Sequence, residues 1–235
     1  MASESKAYRS LDVVKVIGTI SVLKKRVQDR FPNSGLASVC TDLKNLADDS
    51  RTKIEWISKP NIWIRIGIAL LILLMVTVLG VTFANLDISG TTFTISDLIQ
   101  GSEAGTNEIL LIGAAVYFLF TVETRFKRGR ALKALYELRS IAHVIDMHQL
   151  TKDPSRVVAE NTPNSPKDNL TPLQLTRYLN YCSELLSLTS KVGALYSQAI
   201  NDEVVLQTVN EIEDLTLGLS QKIWQKIMVL KELED

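Results

Sequence analysis

The chain has 235 residues, 26 Lys or Arg against 26 Asp or Glu, and 46% hydrophobic residues. A formal charge of zero excludes a strongly basic nucleic-acid binder, and two cysteines with no Cys-x-x-Cys spacing exclude a disulfide scaffold or a zinc knuckle. The charges are unevenly spread, however, because residues 85–108 contain no Lys or Arg at all.

Residues 1–61 read as a helical hairpin. Val13, Val16, Ile17, Ile20, Leu23, Val27 and Phe31 recur at helical spacing, and Pro32-Asn-Ser-Gly35 interrupts them. Ser34 is placed to cap a second helix with Leu36, Val39, Cys40, Leu43, Leu46, Ala47, Ile54 and Ile57 on one face, ending near Lys59-Pro60. The short connection makes the two helices antiparallel neighbours.

Residues 62–84 form the first candidate span. Arg65 is their only charge, and Ile68-Ala-Leu-Leu-Ile-Leu-Leu-Met-Val76 lacks the polar stripe of a soluble helix. About 20 apolar residues cross the ~30 Å hydrocarbon core, so the segment suffices. Trp63 suits headgroup depth, and Arg65 can snorkel outward on its apolar stem. Residues 1–30 are charged and lack an apolar h-region, so no cleavable signal peptide is expected and the first span serves as the insertion signal.

Residues 85–107 read as an extracytoplasmic loop. Thr91–Ile95 looks extended, and Ser96–Gln100 suits one or two helical turns ended by Gly101. A second helix is expected from about Glu108 to Leu150, with its span at Ile109–Val122 extended to Phe126. Glu123 and Lys127 lie one turn apart and can pair, while Arg125, Lys127, Arg128 and Arg130 fall where phosphates are. Gly113, Ala114 and Ala115 allow close helix approach. Beyond the span, Leu132, Leu135, Leu138, Ile141, Ala142 and Ile145 continue one apolar stripe, so the helix is read as running on into the cytoplasm.

Residues 151–169 collect Pro154, Pro163, Pro166 and three Asn, an exposed linker by composition. Residues 170–235 read as a closing hairpin. Thr171 and Pro172 open its first helix, which carries Leu175, Leu179, Cys182, Leu186, Thr189, Gly193, Tyr196 and Ile200. Asn201 is expected to cap the last helix, with Val205, Val209, Ile212, Leu219, Ile223, Ile227 and Leu230 on one face. The stripes suit a coiled-coil pair, although the breaks at Thr189 and Gly193 favour a small bundle.

Positive charge sets orientation. Residues 1–61 hold 11 Lys or Arg and residues 123–235 hold 14, so both termini are expected in the cytoplasm of a plasma or bacterial inner membrane, with the loop outside.

Signs of catalysis are few. His143 and Asp146 share a face at i, i+3, but His148 points elsewhere and a metal would need further ligands from another element. The alternative is a helix end where His148 favours the negative dipole and Asp146 faces water. No phosphate-cradling Gly loop, H-E-x-x-H or G-x-S-x-G is present. Cys40 and Cys182 sit singly on apolar faces, as small core residues. Lys24-Lys-Arg26 reads as a solvated face.

The reading is an all-α membrane protein with two transmembrane helices and cytoplasmic helical hairpins. It is expected to act without enzymatic activity, cofactor or metal as a homo-oligomeric scaffold, its partners being the lipid bilayer and a cytoplasmic protein, with no nucleic acid. The alternatives are a homo-oligomeric pore gated by the cytoplasmic helices, and a membrane-bound enzyme with a metal at His143 and Asp146. The span-loop-span layout is that of simple two-span channels, with Ser96–Gln100 in the place of a pore helix, but the Thr-Val-Gly-Tyr-Gly filter is absent.

Overall fold

The computed structural model describes residues 10–84, 95–154 and 170–233, and every regular element among them is helical. Of the described residues 90% are helical, and none is in a strand. The order is α1 (Val13–Arg30), α2 (Gly35–Ser58), α3 (Ile62–Ala84), α4 (Ile95–Leu150), α5 (Pro172–Ala199) and α6 (Glu203–Glu232). They divide into two units, one of Met1–Ser58 with Arg128–Asp235 and one of Lys59–Lys127.

In the first unit, Asp12 opens α1 by accepting hydrogen bonds from the N–H groups of Val14 (2.8 Å) and Lys15 (3.3 Å), two donors that the helix leaves unpaired. Val16, Ile20, Leu23 and Val27 then form its buried stripe. The chain turns at Pro32, with Asn33 at a left-handed φ of 59° that Asn tolerates better than most residues. Ser34 Oγ accepts from Ala37 N–H at 3.2 Å and starts α2. Leu36, Val39, Cys40, Leu43, Ala47 and Ile57 are buried along α2.

Helix α5 is the centre of this unit. Thr171 and Gln174 form a reciprocal capping box with Pro172 in the first turn. The predicted stripe from Leu175 to Tyr196 is buried, but so are Tyr178, Tyr181, Leu185, Leu188, Val192 and Leu195 on a second face. α5 therefore packs on α1, α2 and α6 alike. The two helix pairs read from the sequence as separate hairpins share one core, because a helix apolar on two faces cannot be satisfied by one neighbour. Ala131, Ala134, Leu135, Leu138, Ala142 and Ile145 of α4 complete that core. At Gly193, where α5 meets Leu135 and Ile212, an added Cβ would lie 3.8 and 3.9 Å from their side chains, which is ordinary contact.

The start of α6 differs from the expectation. Asp202, rather than Asn201, is the cap: its Oδ1 accepts from Val204 N–H (3.1 Å) and Val205 N–H (3.2 Å). All seven residues of the predicted α6 stripe, from Val205 to Leu230, are buried.

In the second unit, α3 spans the predicted residues, and two helices are long and apolar enough to cross a membrane. α4 begins at Ile95, not near Glu108, and it passes through Gly101 rather than ending there. Glycine in a helix interior costs only about 1 kcal/mol against Ala, which a 56-residue helix absorbs. Of the extended reading at Thr91–Ile95, residues 91–94 lie outside the described residues and Ile95 is helical. Most of the 151–169 linker likewise lies outside them; Lys152 and Pro154, which precede its undescribed part, are buried.

Candidate functional site

The six residues assigned to an interface divide by partner. Lys127 Nζ pairs with Glu123 Oε1 at 2.8 Å, the expected one-turn pair, and the same oxygen accepts Asn61 N–H at 3.0 Å. Asn61 also caps α3 through its side chain, which accepts Trp63 N–H at 3.2 Å. Trp63 itself is 82% exposed. Arg65 and Arg125 are exposed and form no ion pair among the described residues.

Arg128 and Arg130 belong instead to the first unit. Arg128 Nη2 and Nε lie 2.7 and 2.8 Å from Asp202 Oδ2, so one carboxylate oxygen of Asp202 holds α4 while the other caps α6. Burial alone would raise the pKa of Asp202, but the Arg128 guanidinium and the N–H groups of Val205 and Val204 outweigh it and hold the carboxyl below its ordinary value. Arg130 stacks over Trp56, 4.0 Å from the ring centroid. These two arginines are clasps within a bundle.

The small residues of α4 are open. Gly113 has nothing within 4 Å of a built Cβ, Ala114 is exposed and Ala115 half-buried. Polar side chains there are turned inward on their own helices: Thr77 donates to Leu73 O and Thr121 to Tyr117 O, both at 2.8 Å. Such back-bonding to the preceding turn is a local feature of each helix.

His143, Asp146 and His148 do not converge. His143 is exposed, and Asp146 accepts from Gln149 Nε2 at 2.6 Å. Among the described residues no group of three His, Cys, Asp or Glu side chains is placed to hold a metal ion. The His148 ring lies against Gly35 at the start of α2, where an added Cβ would overlap its Cε1. Burial, followed by the charge of Lys152, lowers the pKa of His148 and favours the neutral ring, so the expected stabilisation of a charged His148 by the helix dipole is not what this packing uses. Gly35→Ala is therefore expected to cost ~1–3 kcal/mol by overpacking, largely recovered when His148→Ala is added. Equal thermal midpoints for Gly35→Ala and wild type would contradict that fit.

A cleft of about 430 Å³ between the ends of α4 and α6 is lined by Asp146, Gln149, Asp153, Lys222 and Lys226 among others. Lys226 Nζ donates to Gln149 O at 2.8 Å, and burial lowers its pKa against the opposing charges of Asp153 and Asp146. Burial also pushes the Cys40 thiol up to about 12 and raises that of Cys182, so both remain protonated.

Three of the most specific contacts, Arg26 to Glu184 (2.8 Å), Arg128 to Asp202 and Arg130 to Trp56, join residues far apart in sequence. The reading of Lys24-Lys-Arg26 as a solvated face missed the first; Arg26 also lies 5.2 Å from the Tyr181 ring. No helical spacing announces such pairs.

Comparison of the chain with protein-family models, with curated proteins and with solved structures finds no match.

Proposed function

We propose that the chain is an integral membrane protein in which α3 and part of α4 cross the bilayer with both termini cytoplasmic. Its bundle then acts as a non-enzymatic module for self-association or partner binding. The observation that carries this reading is the surface of α3, where Leu70, Leu73, Leu74, Val76 and Val81 stand exposed. Water penalises so broad an apolar surface, and hydrocarbon does not. The absence of Lys and Arg from residues 85–108 supports that orientation.

Association is supported from both units. Leu206, Leu217, Trp224 and Met228 are all at least half exposed and fall on one face of α6, distinct from its buried stripe. Trp224 and Met228, one turn apart on that face, form its most continuous apolar part, and contiguous exposed apolar patches mark interaction sites. In the span, the open Gly113-Ala-Ala115 surface suits close approach of a second copy.

The expected result is an oligomeric mass for the full chain in mild detergent. Gly113→Leu should weaken association on the order of tenfold, because its side chain separates the helices. A monomeric mass unchanged by that substitution would leave a single-copy anchor and remove the pore alternative as well.

A further inference from the structure

The exposed apolar row on α6 carries opposite charges at its two ends. Leu217, Trp224 and Met228 are each at least half exposed, with half-buried Ser220 between the first two. Glu213 precedes Leu217 by four residues and Lys231 follows Met228 by three, spacings that keep both charges on the same face of the helix. Both are exposed, and neither forms an ion pair among the described residues.

Such a row is complementary to itself when reversed. Glu213 and Lys231 each lie nine residues from Lys222, Ser220 and Trp224 each lie two from it, and Leu217 and Met228 lie five and six from it. A two-fold axis level with Lys222 therefore sets Glu213 against Lys231, the small Ser220 against the indole of Trp224, and Leu217 against Met228, in both directions at once. A parallel pair would instead set Glu213 against Glu213 and Lys231 against Lys231. Lys222 itself lines the cleft toward α4 and stays out of the row.

The chain passes between the bundle and Lys59–Lys127 at Ser58 and Arg128, and Arg128 holds Asp202 at the start of α6. At 1.5 Å per residue that start lies about 30 Å along the helix from the level of Lys222. In a reversed pair the two Arg128 exits fall at opposite ends, so a contact on α6 is separate from one at Gly113.

We propose that a second copy of the chain docks on this row, the two α6 helices running antiparallel. The pairing rests on the association reading above and names its partner and direction. Trp and Met are enriched at the centres of interfaces, and complementary charges at the rim fix register more than they add affinity.

The test uses the full chain in mild detergent. Wild type is expected to be oligomeric by light scattering, and Trp224→Ala to weaken the association on the order of a hundredfold. Glu213→Lys should weaken it on the order of tenfold, and adding Lys231→Glu should restore it. Direction is read with a short bismaleimide: a mixture of the Glu213→Cys and Lys231→Cys chains should yield a covalent dimer, and each variant alone should not. Cys40 and Cys182 are buried and should leave wild type unlinked. Rescue by the double reversal and the mixed cross-link are gains of signal that a misfolded variant does not give. Cross-linking of either variant alone, no cross-link in the mixture, or an oligomer indifferent to Trp224→Ala and to charge reversal would overturn the pairing while leaving association through the span standing. A monomeric wild type would overturn the association reading itself, and the pairing with it.

Discussion

Leu186→Ala is expected to destabilise the bundle by ~2–5 kcal/mol, and Leu219→Ala by an amount near the lower end of that range. Leu186 lies on α5 with 0% of its surface exposed, and Leu219 on α6 with 5%. Each deletion removes apolar burial and leaves a cavity that the rigid packing of surrounding helices only partly closes. The larger effect belongs to Leu186, because α5 is covered by α1, α2 and α6 and has fewer ways to collapse inward. Lys222→Ala changes an exposed side chain of α6 and should stay within about 0.5 kcal/mol of wild type. Chemical unfolding of the full chain in detergent, followed by the exchange of amides in α5 and α6, reads all three; equal sensitivity of the three positions would contradict the packing.

Asp202→Ala is expected to cost ~2–4 kcal/mol, since it removes a helix cap together with a charge-assisted pair. The Asp202 side chain is 3% exposed while that of Arg128 is 38% exposed, so the arginine can turn to water when its partner goes and the cost stays below that of stranding a buried charge. The pH dependence follows from the lowered carboxyl pKa. A depressed folded value means that the native state holds its proton less tightly than the unfolded chain. The contribution is therefore complete above the unfolded carboxylate pKa and is lost as the pH falls through the lower folded one. The difference in stability between wild type and Asp202→Asn should be constant near neutral pH and shrink in acid. A difference that grows as pH falls would show that the pair with Arg128 is not formed.

Periodicity made much of this fold legible. The seven apolar residues of α6, the capping residues Thr171 and Pro172 and the limits of α3 all follow from local spacing and composition. Three things were not local. The second buried face of α5 carries Tyr178, Tyr181 and Leu188 among polar neighbours, so its sequence reads as a one-sided helix until α1 and α2 are seen against it. Asn201 and Asp202 are both good caps, and the choice of Asp202 comes from Arg128, 74 residues away. Gly101 looked like a stop because glycine is favoured after a helix end, but α4 passes through it. The candidate interface was legible as a group of cations near apolar runs, whereas their division into engaged and open members depends on Glu123, Asp202 and Trp56.

The proposed topology places both termini on one side of a membrane that α3 and α4 cross. Reporter fusions placed after Ser102 and after Asp235, each read with a periplasm-active and a cytoplasm-active enzyme, measure this directly. The charge distribution predicts opposite compartments, with the fusion after Asp235 in the cytoplasm and the fusion after Ser102 outside. Activity of both fusions on the same side would contradict the second crossing, and with it the proposed two-span topology.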